Sequence, residues 1–224
     1  MKAKKKDFVE IDFTARTEDG RVFDTTKKEV AKEENLPETE YKPLHICIGE
    51  GQLLKGLDKA LDGKELGKEY EITINPEEAF GRRDPKLVRI IPLKVFHEKE
   101  VNPYPGLSVA IDNTIATVRA VSGGRVITDF NHPLAGRKII YKIVLRRKLE
   151  NEGEKIAVIL KIHLKTDKFS VKGKEIILEE RADDSLLSGA EKKINELIGD
   201  FTLKNKGNGG VKEDLGKSSE KKKV

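Results

Sequence analysis

Residues 18–26 read Glu18-Asp19-Gly20-Arg21-Val22-Phe23-Asp24-Thr25-Thr26, which predicts a strand end, a turn, and a second strand with an aromatic beside a carboxylate. Two later stretches, Leu53-Leu54-Lys55-Gly56-Leu57 and Ala79-Phe80-Gly81, add apolar side chains around glycines. Together the three stretches predict a small apolar cleft with one acid at its side. Such a cleft is poorly suited to hydrolysis or redox chemistry, and it favours the binding of a proline ring.

The pattern around these stretches predicts a sheet that is interrupted. Val9, Ile11, Phe13 and Ala15 alternate with polar residues and indicate a half-buried strand. Further strands are predicted at Leu44–Ile48 and 70–74, and a short helix between them carries Leu57. The next strand with a matching pattern comes only at 138–147.

The segment between these strands has a strand pattern of its own. Strands are predicted at 88–96, 108–111, 115–121 and 126–129, and Ser122-Gly123-Gly124 is a hairpin signal. We therefore predict a small β-rich domain inserted into a loop of the first domain, because the termini of a domain are often close enough to accept an insertion.

A third unit is predicted to begin near Asn151. Val158, Leu160, Ile162 and Leu164 alternate as in a strand, and a stripe that includes Ala190 and Ile194 predicts an amphipathic helix. From residue 206 onward the chain is rich in Gly, Lys, Asn and Ser, which predicts disorder. The fold class predicted for the whole chain is α+β.

Composition and charge exclude several classes of protein. The net charge is +5, yet residues 1–6 carry four lysines and residues 206–224 carry six lysines and three acids, so the rest of the chain is at −2. Nucleic-acid binding is therefore not predicted for the body, although the basic tails leave a ribosome-associated role open. No stretch reaches the roughly 18 apolar residues of a membrane helix, and Cys47 is the single cysteine, so a cytoplasmic location is predicted.

The residues quoted so far resemble the FKBP-type peptidyl-prolyl cis-trans isomerases. The stretch Asp129-Phe130-Asn131-His132-Pro133-Leu134-Ala135-Gly136, which closes the inserted segment, is similar to the SlyD branch of that family, and the third unit resembles the extension of its archaeal long-type members. The resemblance implies an isomerase domain at 1–84 plus 131–151, an inserted flap domain at 85–130, a C-terminal α+β domain at 152–205 and a disordered basic tail at 206–224.

The resemblance also implies a fold and a site. The fold is a bent antiparallel sheet wrapped around a short helix, with a proline pocket between them. The catalytic residues implied are Asp24, Phe13, Phe80 and Tyr141, and the substrate-binding residues are Phe23, Leu44, Leu53, Leu54 and Leu57. The family often has tyrosine at the positions of Phe13 and Phe80, so two hydroxyls are missing here. No cofactor and no metal are predicted, because the four histidines lack the spacing of metal ligands.

Alternative interpretations remain open for these residues. The apolar members could be ordinary core, and Asp24 could cap a turn. Asp24 could also act by electrostatic contact with the twisting carbonyl or by orienting its neighbours. His132 is expected to stabilise the turn that contains Asn131 and Pro133.

The inserted segment is rich in apolar side chains for its size, which predicts an exposed surface. The resemblance implies that this surface captures unfolded chains as a chaperone and passes them to the proline pocket; the residues are Ile90, Ile91, Leu93, Val95, Phe96, Ile111, Val118 and Ile127. The alternatives are that they form the segment's own core, and that the protein is a non-catalytic chaperone or assembly factor. A homodimer through 152–205 is also predicted.

Overall fold

Strands dominate the first of the two units into which the chain divides, Met1–Lys148. The structure, a computed structural model, describes residues 1–206. In chain order the elements of this unit are β1 (Phe8–Thr17), β2 (Val22–Thr25), α1 (Lys28–Glu33), β3 (Leu44–Cys47), α2 (Lys55–Ala60), β4 (Glu69–Ile74), β5 (Val88–Pro92), α3 (Leu93–Glu98), β6 (Ser108–Ile111), β7 (Thr114–Ser122), β8 (Arg125–Asp129) and β9 (Ile139–Lys148).

The main sheet is completed by a strand that is distant in sequence. Its order is β2-β1-β9-β4, with β3 also paired to β1, and every pairing is antiparallel. The central strand β9 lies between β1 and β4, with pairs that include Ala15↔Tyr141 and Ile72↔Tyr141. The predicted interruption of this sheet by a long intervening segment is therefore confirmed.

Helix α2 packs against the concave face of this sheet. Leu57 and Leu61 are four residues apart, so they share one side of the helix, and both are fully buried in the main core. Gly56 allows the close approach: a Cβ atom there would lie 2.6 Å from the Cγ2 atom of Ile74 on β4 and 3.0 Å from the Cβ atom of Glu78. The predicted α+β fold, a sheet wrapped on a short helix, is confirmed.

The segment between β4 and β9 forms a separate four-stranded sheet, β5-β8-β7-β6, which is antiparallel throughout and is called the inserted sheet below. Helix α3 covers one of its faces, where Phe96, Val118 and Val126 form a small buried cluster. The prediction that Phe96 and Val118 belong to an exposed surface is therefore wrong. Both side chains are at most 5% exposed, because Phe96 of α3 packs against the sheet face that carries Val118.

The second unit starts at Leu149 and also mixes helices and strands. Its elements are α4 (Glu152–His163), β10 (Phe169–Lys172), β11 (Glu175–Leu178), α5 (Asp184–Leu197) and β12 (Thr202–Asn205). The hairpin β10–β11 is antiparallel, β12 adds in parallel to β11, and the two helices pack together. The α+β class predicted for this region is confirmed.

One element of the second unit differs from its prediction. The strand predicted from Val158 to Leu164 is wrong, because Glu152–His163 is a helix. The Asn151 side chain accepts a hydrogen bond from the Glu154 N–H, which caps the helix start. The buried residues Ile156, Ile159 and Leu160 follow the three- and four-residue spacing of a helix. The alternation of apolar residues from Val158 to Leu164 had indicated a strand instead.

Two further predictions from the sequence concern the basic tail and membrane-spanning helices. The basic tail at 206–224 lies outside the described residues, apart from Lys206. Across the described part of the chain, none of the helices is both long and apolar enough to span a bilayer.

We expect the substitution Gly56→Ala to destabilise the first unit by about 1–2 kcal/mol. The new methyl group would overlap buried Ile74, and overpacking of this kind costs about 1–3 kcal/mol, which exceeds the helix preference of about 1 kcal/mol for Ala over Gly. Hydrogen exchange of the β1 and β9 amides measures the change locally. The control Gly189→Ala, in α5 with nothing within 4 Å of the new Cβ atom, should be stabilising for the α5 amides. Equal stabilisation by both changes would contradict the packing constraint.

Candidate active site

A row of paired residues crosses the main sheet and brings an acid opposite a phenol. Asp24 pairs with Ala15, Ala15 pairs with Tyr141, and Tyr141 pairs with Ile72, so all four side chains point to the same face. Ala15 is fully buried and small, which leaves room between its larger neighbours. The charge of Asp24 acts on Tyr141: burial raises the pKa of the phenol first, and the nearby carboxylate raises it further. Tyr141 therefore keeps its hydroxyl proton.

Phe13 lies one step along the same face of β1. Its ring packs against Tyr141 with 5.6 Å between the ring centroids and 56° between the planes. Both side chains are buried, at 7% and 6% exposed, so they form the floor of the cleft. The floor is apolar except for the Tyr141 hydroxyl.

A set of buried hydrogen bonds holds the strand end that carries Asp24. The hydroxyl of Thr25 donates to the Phe13 carbonyl at 2.9 Å, and the Phe13 N–H donates to the Thr26 hydroxyl at 2.9 Å. Thr26 in turn donates to the carboxylate of Asp12 at 2.8 Å. Because these bonds satisfy the buried polar groups on both strands, they fix the backbone next to Asp24.

Asp24 stands at the rim and reaches solvent, yet its environment disfavours its charge. The pKa of its carboxyl is raised from the ordinary value because neighbouring protein atoms remove part of its hydration, and the backbone N–H of Thr25 opposes this shift. A carboxylate at an apolar rim with few hydrogen-bond donors interacts strongly with any dipole that enters the cleft.

Phe80 forms a side wall with two ring neighbours. Its ring meets the edge of Phe23 at 6.1 Å between centroids and 76° between planes. On its other side it stacks on the imidazole of His132 at 4.5 Å and 2°. Phe23 and Phe80 are both half-buried, so the wall is open to a ligand from solvent.

Eight of the nine residues predicted for the cleft belong to or pack on the main apolar core, and Asp24 pairs with Ala15 of that core. Asp24 lies at the rim, Leu57 is fully buried behind the floor, and the remaining side chains belong to or pack on the same apolar cluster; they are Phe13, Phe23, Leu44, Leu53, Leu54, Phe80 and Tyr141. Ala79, Leu134 and Ile72 also pack on it and were not predicted. Ile72 was predicted only as part of the strand at 70–74, Ala79 only as a neighbour of Phe80, and Leu134 only as part of the stretch that closes the inserted segment.

His132 was predicted only as a turn residue. Its Nδ1 atom does accept a hydrogen bond from the Leu134 N–H at 3.1 Å, as a turn residue would. Its contact with Phe80 was missed, because Phe80 and His132 lie on either side of the inserted segment and nothing in their local sequence indicates the contact.

One concave region of the described chain shares only Leu53 with the residues predicted for the cleft. Its volume is about 530 Å³, and its lining is Lys5, Ile48, Gly49, Gly51, Leu53, Lys55, Asp58, Lys59 and Asp62. The carboxylate of Asp58 is occupied by the N–H groups of Gly49 and Gly51, at 2.8 and 3.1 Å. This mixed charged lining does not suit a prolyl ring.

The inserted sheet exposes apolar side chains on the face away from α3. Ile90 pairs with Ile127, which pairs with Ala120, and Ile90 and Ile127 are 62% and 37% exposed. Val95 is also exposed, whereas Ile91, Leu93 and Ile111 pack partly against the small core. Sequence reasoning missed Ile115, which is 72% exposed, and Tyr104, which is 59% exposed.

Within residues 1–206, no group of three or more His, Cys, Asp and Glu side chains is arranged to hold a metal ion.

Comparison with known proteins gives two matching families. Residues 1–97 match the family described as FKBP-type peptidyl-prolyl cis-trans isomerase, and residues 89–134 match the family described as FKBP26, IF domain. The second match covers most of the inserted sheet.

Among the similar proteins, a short-type peptidyl-prolyl cis-trans isomerase of Methanocaldococcus jannaschii is 37% identical over 67% of this chain and 97% of its own length. The FKBP-type isomerase SlyD of Haemophilus influenzae is 32% identical over 70% of this chain and 78% of its own length. SlyD of Escherichia coli is 26% identical over 70% of this chain and 76% of its own length.

Two of the acids in the β1–β2 hairpin, Asp24 and Asp19, should affect stability in opposite ways as the pH changes. The raised pKa of Asp24 means that its charge disfavours the folded state, so Asp24→Asn should raise the melting temperature near pH 7. The gain should disappear as the pH falls below about 4, the pKa of an unfolded aspartate, where Asp24 is protonated in both states.

Asp19→Asn is the matched control. Hydrogen bonds from Thr17 and Arg137 lower the pKa of Asp19, so this change should reduce the melting temperature near pH 7, and the loss should fade as the pH falls. Thermal unfolding of both variants across this pH range measures the difference. Shifts of the same sign in the two variants would contradict the environment described for Asp24.

Proposed function

The chain belongs to the FKBP-type peptidyl-prolyl cis-trans isomerases, and we propose that its reaction takes place in the cleft between Asp24, Phe80 and Tyr141. The protein is an isomerase whose substrates contain proline. One observation carries the site assignment: side chains from β1, β2, α2, β9 and the loop after β4 meet in a single apolar cluster with Asp24 at its rim.

The cleft can lower the barrier without a nucleophile or a proton transfer. Rotation about an X–Pro bond crosses roughly 18–20 kcal/mol, because it breaks amide resonance. The planar amide carries more separated charge than the twisted amide, so an apolar floor such as Phe13 favours the twisted form relative to the planar one. A hundredfold acceleration needs only about 3 kcal/mol of this difference.

The two polar groups of the cleft have complementary roles in this proposal. Tyr141 keeps its proton, so its hydroxyl can donate a hydrogen bond to a substrate carbonyl. Tyr141 also provides a phenolic hydroxyl group, which the rings of Phe13 and Phe80 lack. Asp24, across Ala15 from Tyr141, would act on the carbonyl as it rotates and loses resonance. Its weak hydration strengthens that electrostatic contact.

We further propose that the inserted sheet acts as a chaperone surface. The exposed row of Ile90 and Ile127, together with Ile115, offers apolar contact to an unfolded chain, and Val95 on α3 exposes a further apolar side chain. A chain held there would meet the cleft at a high effective concentration, because both surfaces belong to one unit. The family match supports an enzyme over the alternative of a non-catalytic assembly factor.

Location and assembly are the remaining parts of the proposal. A cytoplasmic location is supported by Cys47, which is a buried free thiol. A homodimer through 152–205 is supported by β10, an edge strand that exposes Val171. Ribosome contact through the tail concerns residues outside the described part.

A charged edge residue blocks strand pairing, so Val171→Lys should convert a dimer to a monomer in sedimentation. A dimer that survives the change would refute this interface.

Two sets of substitutions should separate catalysis from capture. Asp24→Ala should lower kcat/KM on a short X–Pro peptide about three- to tenfold and leave suppression of aggregation unchanged, because it alters the cleft alone. Replacing Ile90 and Ile115 by serine should do the reverse: normal peptide turnover, with slower proline-limited refolding of an unfolded protein.

The control for the second set is Leu186→Ser, which removes an equally exposed side chain from α5. It should change neither activity. If the Ile90 and Ile115 changes slowed peptide turnover as much as refolding, the division between the two surfaces would be wrong. If Asp24→Ala left peptide turnover intact, the role of Asp24 would be wrong.

A further inference from the structure

The wall residue Phe80 lies between two other rings. Phe23 lies 6.1 Å from its ring in an edge-to-face arrangement, and His132 stacks on it in parallel at 4.5 Å between ring centroids. Three rings from three separate parts of the chain therefore form one side of the cleft. Phe80 is the middle ring, so its orientation depends on both neighbours.

The backbone at Phe80 is fixed, but its side chain has no polar anchor. The next residue, Gly81, donates its N–H to the Pro76 carbonyl at 2.7 Å and accepts from the Gly136 N–H at 2.8 Å. A phenylalanine ring cannot add a hydrogen bond to these contacts. The orientation of the ring is therefore set by packing alone, and His132 supplies the flat contact.

His132 is itself held in place by the segment that returns from the inserted sheet. Asn131 accepts a hydrogen bond from the Asp84 N–H at 2.8 Å and donates to the Asp84 carbonyl at 2.9 Å. On the other side, the Leu134 N–H donates to Nδ1 of His132. The Asn131 bonds thus anchor the chain just before His132, and the bond from Leu134 orients the imidazole, although His132 is exposed to solvent.

We propose that His132 is a positioning residue for isomerisation: its ring face holds Phe80 in the orientation that closes the side of the cleft. This inference rests on the proposed assignment of Phe80 to the cleft wall. With the stack in place, the wall is ordered before a substrate binds. Without it, binding must immobilise the Phe80 ring, and the entropy lost in ordering one side chain corresponds to about a two- to tenfold loss in kcat/KM.

Two substitutions separate the ring of His132 from its hydrogen-bonding atom. In His132→Asn, the Oδ1 atom is bonded to Cγ as Nδ1 is, so it can still accept from the Leu134 N–H while the stack is lost. In His132→Phe, a flat ring remains and the acceptor is lost. A purely structural role in the turn predicts that the phenylalanine variant is the damaged one. The positioning role predicts the opposite.

The experiment measures kcat/KM of the full chain on a short X–Pro peptide for these two variants and for Phe80→Leu. We expect about a two- to tenfold loss for His132→Asn and for Phe80→Leu, and a value within about twofold of the parent for His132→Phe. The ring-proton chemical shifts of Phe80 in NMR spectra should keep their ring-current contribution in His132→Phe and lose it in His132→Asn.

Two results would overturn the inference. One is a slow Phe80→Leu variant together with a parent-like His132→Asn variant, and the other is an equal loss in both His132 variants. A Phe80→Leu variant with parent-like turnover would instead refute the assignment of Phe80 to the cleft wall, and the inference would fall with it. Unfolding measurements on His132→Asn should show parent-like stability, since the residue is exposed.

Discussion

The cleft depends on the register in which β9 pairs with β1 on one side and β4 on the other. That register sets Tyr141 beside Ala15 and Ile72, and it places Asp24 in the same row through β2. Side chains alternate between faces along a strand, so a slip of one residue would turn Tyr141 away from the cleft and put Ile140 or Lys142 in its place. The site is thus a property of strand pairing as much as of residue type.

Two surfaces with opposite requirements share the first unit. In the function proposed above, the cleft has to be poor in water to favour a twisted amide, whereas the inserted sheet has to expose apolar side chains to meet an unfolded chain. The base of the inserted sheet keeps them distinct: Asp129 is 1% exposed, and its carboxylate accepts from Arg119 at 2.9 and 3.0 Å and also pairs with Arg83. Because a buried carboxylate with these partners is costly to open, the point where the two sheets join is well ordered.

Sequence patterns predicted the parts of this structure that local periodicity encodes. The alternation from Val9 to Ala15 indicated β1, and the resemblance placed Phe13 and Asp24 in one cleft. Periodicity failed at 158–164, where Asn151 caps a helix, and it also missed α3 within the strand predicted at 88–96, so Phe96 was assigned to an exposed surface. The stack of His132 on Phe80 is a contact between distant residues, which no local pattern reports.

The position of β9 in the chain has a consequence for the order in which the protein forms during synthesis. β1 and β4 are made early, but their shared partner is made only after the whole inserted sheet. Contacts between neighbouring strands such as β7 and β8 form faster than contacts across more than a hundred residues. A nascent chain can therefore complete the inserted sheet while the main sheet still lacks its central strand, so the surface proposed for capture would form before the proposed active site.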